Sequence, residues 1–279
     1  MPNFDEQKSK ANVFRMMHRG AKTLLLPNIW DVASARIIED AGFTAIATTS
    51  AGVAFSLGYP DGQKISREEM LARVARIVRA VKVPVTADAE AGYGERPEDA
   101  AQTARAVIEA GAVGMNLEDG TGDPQRPLID PSLQTEKIRA IREAALKIGV
   151  LLVLNARTDV YLDQVGPPET RYEESVRRGL AYRDAGADCI FVPGVRDPET
   201  IAKLVRDLQC PLTILAGPGS LLVPELEKLG VARVSLGSAP MRATLGLLHR
   251  MSLELHTTGT YLALEGAPAH GDVNKLMEK

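Results

Sequence analysis

The sequence predicts an α/β fold, a (β/α)8 barrel, and three observations carry that prediction. Eight short runs rich in Val, Ile, Leu and Ala alternate with longer segments of helical period. Each run reads as buried enough to lack a polar face, as parallel strands covered by helices do. The phrase Ala-Gly-Ala or Ala-Gly-Phe recurs where helices should stop.

In chain order the predicted strands are Leu24–Pro27, Ala45–Thr48, Val85–Ala87, Val113–Leu117, Leu151–Asn155, Cys189–Val192, Leu212–Leu215 and Arg233–Leu236. Ala41-Gly42-Phe43 precedes the second, Ala110-Gly111-Ala112 the fourth, Ala185-Gly186-Ala187 the sixth and the related Leu229-Gly230-Val231 the eighth. Each glycine suits the left-handed residue that closes a helix. Between strands two and three, Met70, Leu71, Val74, Ile77, Val78 and Val81 recur at helical spacing and predict a helix over Arg67–Val81. Pro97 opens the next helix, since its missing N–H costs nothing in a first turn. A doubly wound open sheet is the competing topology, because alternation alone does not distinguish closure from a free edge. No glycine-rich dinucleotide fingerprint follows the first strand, which weighs against it. Residues 1–279 carry no low-complexity linker and read as one domain. The stretch beyond about Thr257 breaks the pattern and is expected to lie on the barrel or on a neighbouring subunit.

Composition narrows the function classes. The 279 residues are 45% hydrophobic and 25% charged, enough for a large core, and the formal net charge is −3. Basic residues are spread along the chain, so nucleic-acid and membrane partners are not expected. No apolar run approaches a membrane span and the N-terminus is polar, so a cytoplasmic protein is expected. Cys189 and Cys210 lie in apolar contexts and read as buried reduced thiols.

In a barrel the C-terminal strand ends share one rim, where active sites are built. There the sequence places Asp88 and Glu90 after the third strand, Glu118 after the fourth and Arg157 after the fifth. Residues two apart on a strand face the same way, so Asp88 and Glu90 are expected to converge. Three carboxylates in one mouth repel unless something positive lies between them. Oxygen donors suit a hard cation, Mg²⁺ or Mn²⁺, with Asp88, Glu90 and Glu118 as its ligands. The planar fork of Arg157 suits a substrate carboxylate, although neutralising a neighbouring acid is the alternative. Asp119 and Asp159 read as cap or salt-bridge residues. The four histidines, His18, His249, His256 and His270, lie away from the strand ends, and no lysine or cysteine sits at the rim. A zinc triad, a Schiff base and a thiol nucleophile are therefore disfavoured.

With these residues in place, the chain resembles the isocitrate lyase/phosphoenolpyruvate mutase superfamily over roughly residues 24–243. The resemblance rests on LPNIWDVASARIIEDAGF, SLGYPDG, TADAEAGYG, AGAVGMNLEDG and NARTD, in that order. It implies a TIM barrel whose last helix is exchanged between subunits, in a tetramer or dimer of dimers. It implies Mg²⁺ held directly by Asp88, with Glu90, Glu118 and Asp61 reaching it through water, and Arg157 gripping a substrate carboxylate. Ser50, Ala51 and Gly52 would offer donors to a 2-oxo acid, and Arg157, Glu118 and Asp61 form the implied catalytic set. Ser238 occupies a place where some decarboxylating relatives bring a substrate-facing side chain; a helix N-cap before Pro240 explains it equally well.

The chain also departs from that pattern. The lyase motif with its cysteine is replaced after the fourth strand by GTGDPQRPLIDPS, Gly120 to Ser132, and the gating loop of the phosphonate mutases is absent too. The resemblance therefore implies a Mg²⁺-dependent lyase or decarboxylase that breaks a C–C bond of a small 2-oxo or 2-hydroxy dicarboxylate through a metal-stabilised enolate. A C–P bond enzyme acting on phosphonopyruvate is the runner-up. A phosphosugar isomerase or aldolase and a 2-oxo acid binder with little turnover are the remaining readings.

Overall fold

The computed structural model describes residues 4–278. Nine parallel strand segments form a barrel: β1 (Leu24–Leu26), β2 (Asn28–Ile29), β3 (Ile46–Thr48), β4 (Val85–Asp88), β5 (Gly114–Glu118), β6 (Val153–Arg157), β7 (Cys189–Phe191), β8 (Leu212–Leu215) and β9 (Arg233–Ser235). The nine segments are eight staves. Pro27, which has no N–H to give a ladder, splits the first stave in two. Its first half pairs with β9 and its second half with β3, and this double pairing closes the sheet. Closure excludes the open-sheet alternative.

The helices are α1 (Phe4–Met17), α2 (Val32–Asp40), α3 (Ser50–Ser56), α4 (Arg67–Ala80), α5 (Pro97–Glu109), α6 (Pro131–Ile148), α7 (Arg171–Asp184), α8 (Pro198–Leu208), α9 (Val223–Lys228), α10 (Ala239–Thr257) and α11 (His270–Glu278). Met70, Leu71, Val74 and Ile77 form the buried face of α4, and Pro97 occupies the first turn of α5. Gly42, Gly111, Gly186 and Gly230 all have φ between 85° and 114°, so the recurrent glycine does close helices in the left-handed region.

Two expectations need correction, and one helix appears that the sequence reading did not include. The predicted strands Val113–Leu117 and Leu151–Asn155 start too early. The observed β5 and β6 run one and two residues further, so Glu118 and Arg157 end strands rather than follow them. The polar N-terminal segment forms α1, whose Ala11 and Phe14 join Leu24, Leu26, Ala45, Ala47, Val113, Val153 and Cys189 in a cluster that plugs the barrel floor. The strands, moreover, are not apolar on both faces. Outward residues such as Met115, Leu117, Leu154, Ala156 and Ile190 pack with the helices. Inside, above the floor, Asn116, Asn155, Thr213 and Arg233 form a hydrogen-bonded polar layer in place of the branched apolar side chains usual in barrels.

Glu254 of α10 accepts the backbone N–H groups of Leu262 and Ala263, just past the end of the helix. The chain then returns so that α11 lies on α2, where Arg36 donates to the carbonyls of Leu276 and Met277. Among the described residues no helix is long and apolar enough to cross a membrane.

Candidate active site

The rim above the polar layer collects the predicted residues around Asp88. That side chain ends β4 and is held from two sides. One oxygen accepts both the backbone N–H of Ser50 at 3.0 Å and its hydroxyl at 2.8 Å. The other faces the Asn116 amide at 3.5 Å, and the Asp88 backbone N–H goes to the Thr48 hydroxyl. Ser50 opens α3, so the chain direction at β3 delivers both its donors to the neighbouring stave.

Glu90 reaches this site by a route that strand alternation did not anticipate. The strand ends at Asp88, and Glu90 sits in a turn with φ 47°, a left-handed conformation that side chains rarely adopt. Its carboxylate accepts the backbone N–H of Gln63 and the hydroxyl of Tyr93. Gln63 and Tyr93 are also left-handed, and the Gln63 side-chain oxygen accepts the Tyr93 N–H at 2.8 Å. The loop that carries Asp61 is thereby tied to the loop that carries Glu90.

Glu118 and Arg157 face each other across β5 and β6, with Arg157 Nη1 2.6 Å from Glu118 Oε2 and Arg157 Nε 2.5 Å from Asp159 Oδ1. The guanidinium also lies 5.9 Å from the centre of the Phe191 ring. Asp159 is thus a salt-bridge partner. Asp119 is wholly buried and accepts from Arg178 and from the Tyr182 hydroxyl, so it anchors structure below the rim.

Electrostatically the site holds more acid than one guanidinium can offset. Burial pushes the Glu90 carboxyl up to about 7, and the charges of Asp88 and Asp61 add to that rise. Glu118 is raised by burial against the pull of Arg157, with Asp159, Asp88 and Glu90 adding. Asp61 lies on an exposed loop, yet partial burial and then Asp88 raise it as well. Asp88 is the acid common to all three. Among the described residues no three acidic, His or Cys side chains come close enough to bind an ion directly. What the residues offer is an oxygen-only donor set with excess negative charge centred on Asp88, and that chemistry fits a hard divalent cation.

The remaining predicted residues divide. Ala51 and Gly52 are buried in α3 beside Ser50, but the Gly52 N–H points to the Thr49 hydroxyl at 3.4 Å. A Cβ on Gly52 would stand 2.6 Å from Thr49 and 3.2 Å from Trp30, so close packing requires glycine there. Ser238 precedes α10, makes no side-chain capping bond and is half-buried, which leaves its hydroxyl unused by the helix. The segment 120–132 folds back on itself through a Gly120–Leu128 bridge and the Thr121 N–H to Pro127 carbonyl bond.

Two supporting residues escaped the sequence reading. Lys137, fully buried on α6, donates to the carbonyls of Ala91 at 3.0 Å and Gly94 at 2.8 Å, fixing the loop of Glu90 from below. Gln134, one turn earlier, donates to the Glu118 carbonyl at 3.0 Å. Their signal was present: Gln134, Lys137, Ile138, Ile141, Ala144 and Ala145 share one helical face.

Comparison with known proteins follows the same lines. The family model described as phosphoenolpyruvate phosphomutase matches residues 14–256. An uncharacterised protein of Mycobacterium tuberculosis (strain ATCC 25618 / H37Rv) is 39% identical over 232 residues, covering 83% of this chain and 84% of that one. Oxaloacetate decarboxylase 2 of Pseudomonas fluorescens (strain Pf0-1) is 30% identical over 268 residues, covering 90% and 87%. The crystal structure of 2,3-dimethylmalate lyase, a member of the PEP mutase/isocitrate lyase superfamily, superposes with a TM-score of 0.85 at 28% identity, covering 96% and 94%.

Proposed function

The chain belongs to the phosphoenolpyruvate mutase family of the isocitrate lyase/PEP mutase superfamily, and from that membership we propose that it is a Mg²⁺-dependent carbon–carbon lyase or decarboxylase. Its substrate is a small 2-oxo or 2-hydroxy dicarboxylate, and oxaloacetate-like and alkylmalate-like compounds head the candidates. One observation carries the reading: Asp88, pinned by Ser50, lies among Glu90, Glu118 and Asp61, whose carboxyls are all pushed up partly by its charge.

Asp88 is the direct metal ligand in this reading, with Glu90, Glu118 and Asp61 the acids around it. When bound, the cation supplies electron withdrawal from a 2-oxo carboxylate. The chain's own part is positioning. Arg157 exchanges its hold on Glu118 for a substrate carboxylate, and Glu118 is then free to hold or release a proton. Ser50, Ala51 and Gly52 line the carboxylate end, and Ser238 faces the substrate from the last stave. The relatives' names, oxaloacetate decarboxylase and 2,3-dimethylmalate lyase, support C–C cleavage. Phosphonopyruvate, the substrate of the runner-up reading, stays in the test because the matching family model is that of a phosphoenolpyruvate phosphomutase.

We further read the protein as a cytoplasmic homo-oligomer, a tetramer or dimer of dimers, that exchanges α10. Leu245, Leu247, Leu248, Leu253 and Leu255 of that helix are exposed and Met241 is buried, which leaves an apolar surface for a second copy to cover. The deciding experiment is a turnover panel of oxaloacetate, alkylmalates, methylisocitrate and phosphonopyruvate, run with Mg²⁺ and with EDTA. EDTA-sensitive C–C cleavage of one member is expected. Phosphonopyruvate turnover alone would move the assignment to C–P chemistry, and no EDTA-sensitive activity on any member would sink the reading.

A further inference from the structure

Asp88 is steadied from the rim by Ser50, but its second oxygen is served from inside the barrel, by polar residues of the neighbouring staves. Asn116 on β5 is the register partner of Asp88 on β4, and Asn155 on β6 is the register partner of Asn116. The Thr213 hydroxyl donates to Asn155 Oδ1 at 2.9 Å, which turns the Asn155 NH₂ toward Asn116. Asn155 Nδ2 donates to Asn116 Oδ1 at 2.9 Å, which in turn points the Asn116 NH₂ at Asp88 Oδ1, 3.5 Å away.

Direction is the property that matters. A primary amide has one donor end and one acceptor end, so the acceptor-only Asp88 carboxylate at the end of the row requires the Asn116 NH₂, and the Thr213 hydroxyl at its start donates in keeping with that direction. Arg233 reinforces the setting. Its guanidinium is sealed inside the barrel, makes no salt bridge among the described residues, and sends Nη2 to the same Asn116 oxygen at 3.4 Å. Among the described residues its Nε and Nη1 have no hydrogen-bond partner, and neither have His18 Nε2 and the Thr86 hydroxyl. A buried arginine without a carboxylate is costly to keep. With two donors on its oxygen, Asn116 cannot rotate to present that oxygen to the Asp88 carboxylate.

We propose that Asn116 is a positioning residue for Asp88, its amide locked in one orientation by Asn155, Thr213 and the buried Arg233. The inference rests on the proposed function for its metal readout. Polar partners that orient a ligating carboxylate carry about ten-fold or more of metal affinity.

The test starts at the far end of the row, away from Asp88. Mn²⁺ binding to the full-length protein is measured by EPR for wild type, Thr213→Val, Thr213→Ser and Asn116→Ser, with thermal midpoints alongside. Thr213→Val should bind Mn²⁺ about ten-fold more weakly, Asn116→Ser likewise, and Thr213→Ser should keep wild-type affinity because it keeps the donor. A lowered midpoint with unchanged Mn²⁺ affinity in Thr213→Val would reduce the row to core packing and overturn the proposal. If Thr213→Val does not fold, unchanged affinity in Asn116→Ser overturns it instead. Should wild type bind no Mn²⁺, the functional reading fails, and crystal structures of wild type and whichever variant folds then decide. A rotated or doubled Asp88 side chain in the variant upholds the row, and an unmoved one refutes it.

Discussion

Arg157 and Glu118 are register partners at the ends of neighbouring strands, and their side chains meet at 2.6 Å. Burial works against the Arg157 charge, yet Glu118 and Asp159 together hold its pKa above the ordinary guanidinium value. Arg157 therefore stays cationic while several acids compete for it. Under the proposed function, a substrate carboxylate entering the rim would be one more competitor and would displace Glu118 from Nη1.

Arg157→Lys keeps the charge but loses the fork that serves two oxygens at once. Misplacing a substrate by about an ångström costs roughly 100-fold in rate. The variant should lose roughly that factor in kcat/KM and should lose the thermal shift produced by oxalate. Retention of the full oxalate shift would show that the arginine only neutralises acids.

Much of this architecture could be read from the chain before any coordinates. The alternation, the glycine stops and the face of α4 all reflect short-range physics, and they fixed the eight staves. Strand ends were less legible, because Val113 and Leu151 are as apolar as true strand residues and the flanking bonds that decide are long-range. The polar interior was visible but unread. VTAD, GMNLE, VLNAR and RVS alternate in polarity with a period of two, and that alternation is the inward face of β4, β5, β6 and β9. Asp88, Glu118 and Arg157 could be placed because they end strands. Glu90 sits at the rim as expected but not by strand alternation, since its left-handed turn depends on Gln63 and Tyr93 from loops that the sequence does not show meeting.

Lys137 offers a prediction on that loop. Its ammonium holds two carbonyls of residues 91–94, and burial draws its pKa down, with Asp99 and Glu95 opposing. Lys137→Met fills the volume but leaves both acceptors without their partner. The cost should be about 2 kcal/mol in urea unfolding, with amide exchange at residues 91–94 accelerated before the global transition. Unchanged exchange there would mean that Gln63 and Tyr93 hold the loop unaided.

His18 sets a pH dependence of stability far from the rim. Burial, then the nearby charge of Arg233, lowers its pKa to about 4, while Nδ1 stays bonded to the Phe14 carbonyl. The unfolded chain takes up this proton near pH 6.5 and the folded one near pH 4. The unfolded state therefore binds more protons between those values, and stability falls as pH drops through that window. The loss approaches about 3 kcal/mol from this group. Urea midpoints for wild type should fall from pH 7 to pH 4.5, and His18→Gln should flatten that slope. Parallel slopes for the two proteins would assign the effect to the carboxylates.

Asp88 gives the most direct test of the site. Its carboxylate takes two donors from Ser50 and lies opposite Asn116, so its loss removes a negative charge and frees three donors at a partly open rim. Water can satisfy those donors, and the fold should survive, with a small change in thermal midpoint. Asp88→Ala should abolish Mg²⁺-dependent stabilisation by oxalate, whereas Asp119→Ala should unfold the protein instead, because Arg178 and Tyr182 would lose their buried partner. Differential scanning fluorimetry with Mg²⁺, oxalate and both together separates these outcomes. Undiminished Mg²⁺-dependent protection in Asp88→Ala would place the cation elsewhere and remove the basis for the proposed chemistry.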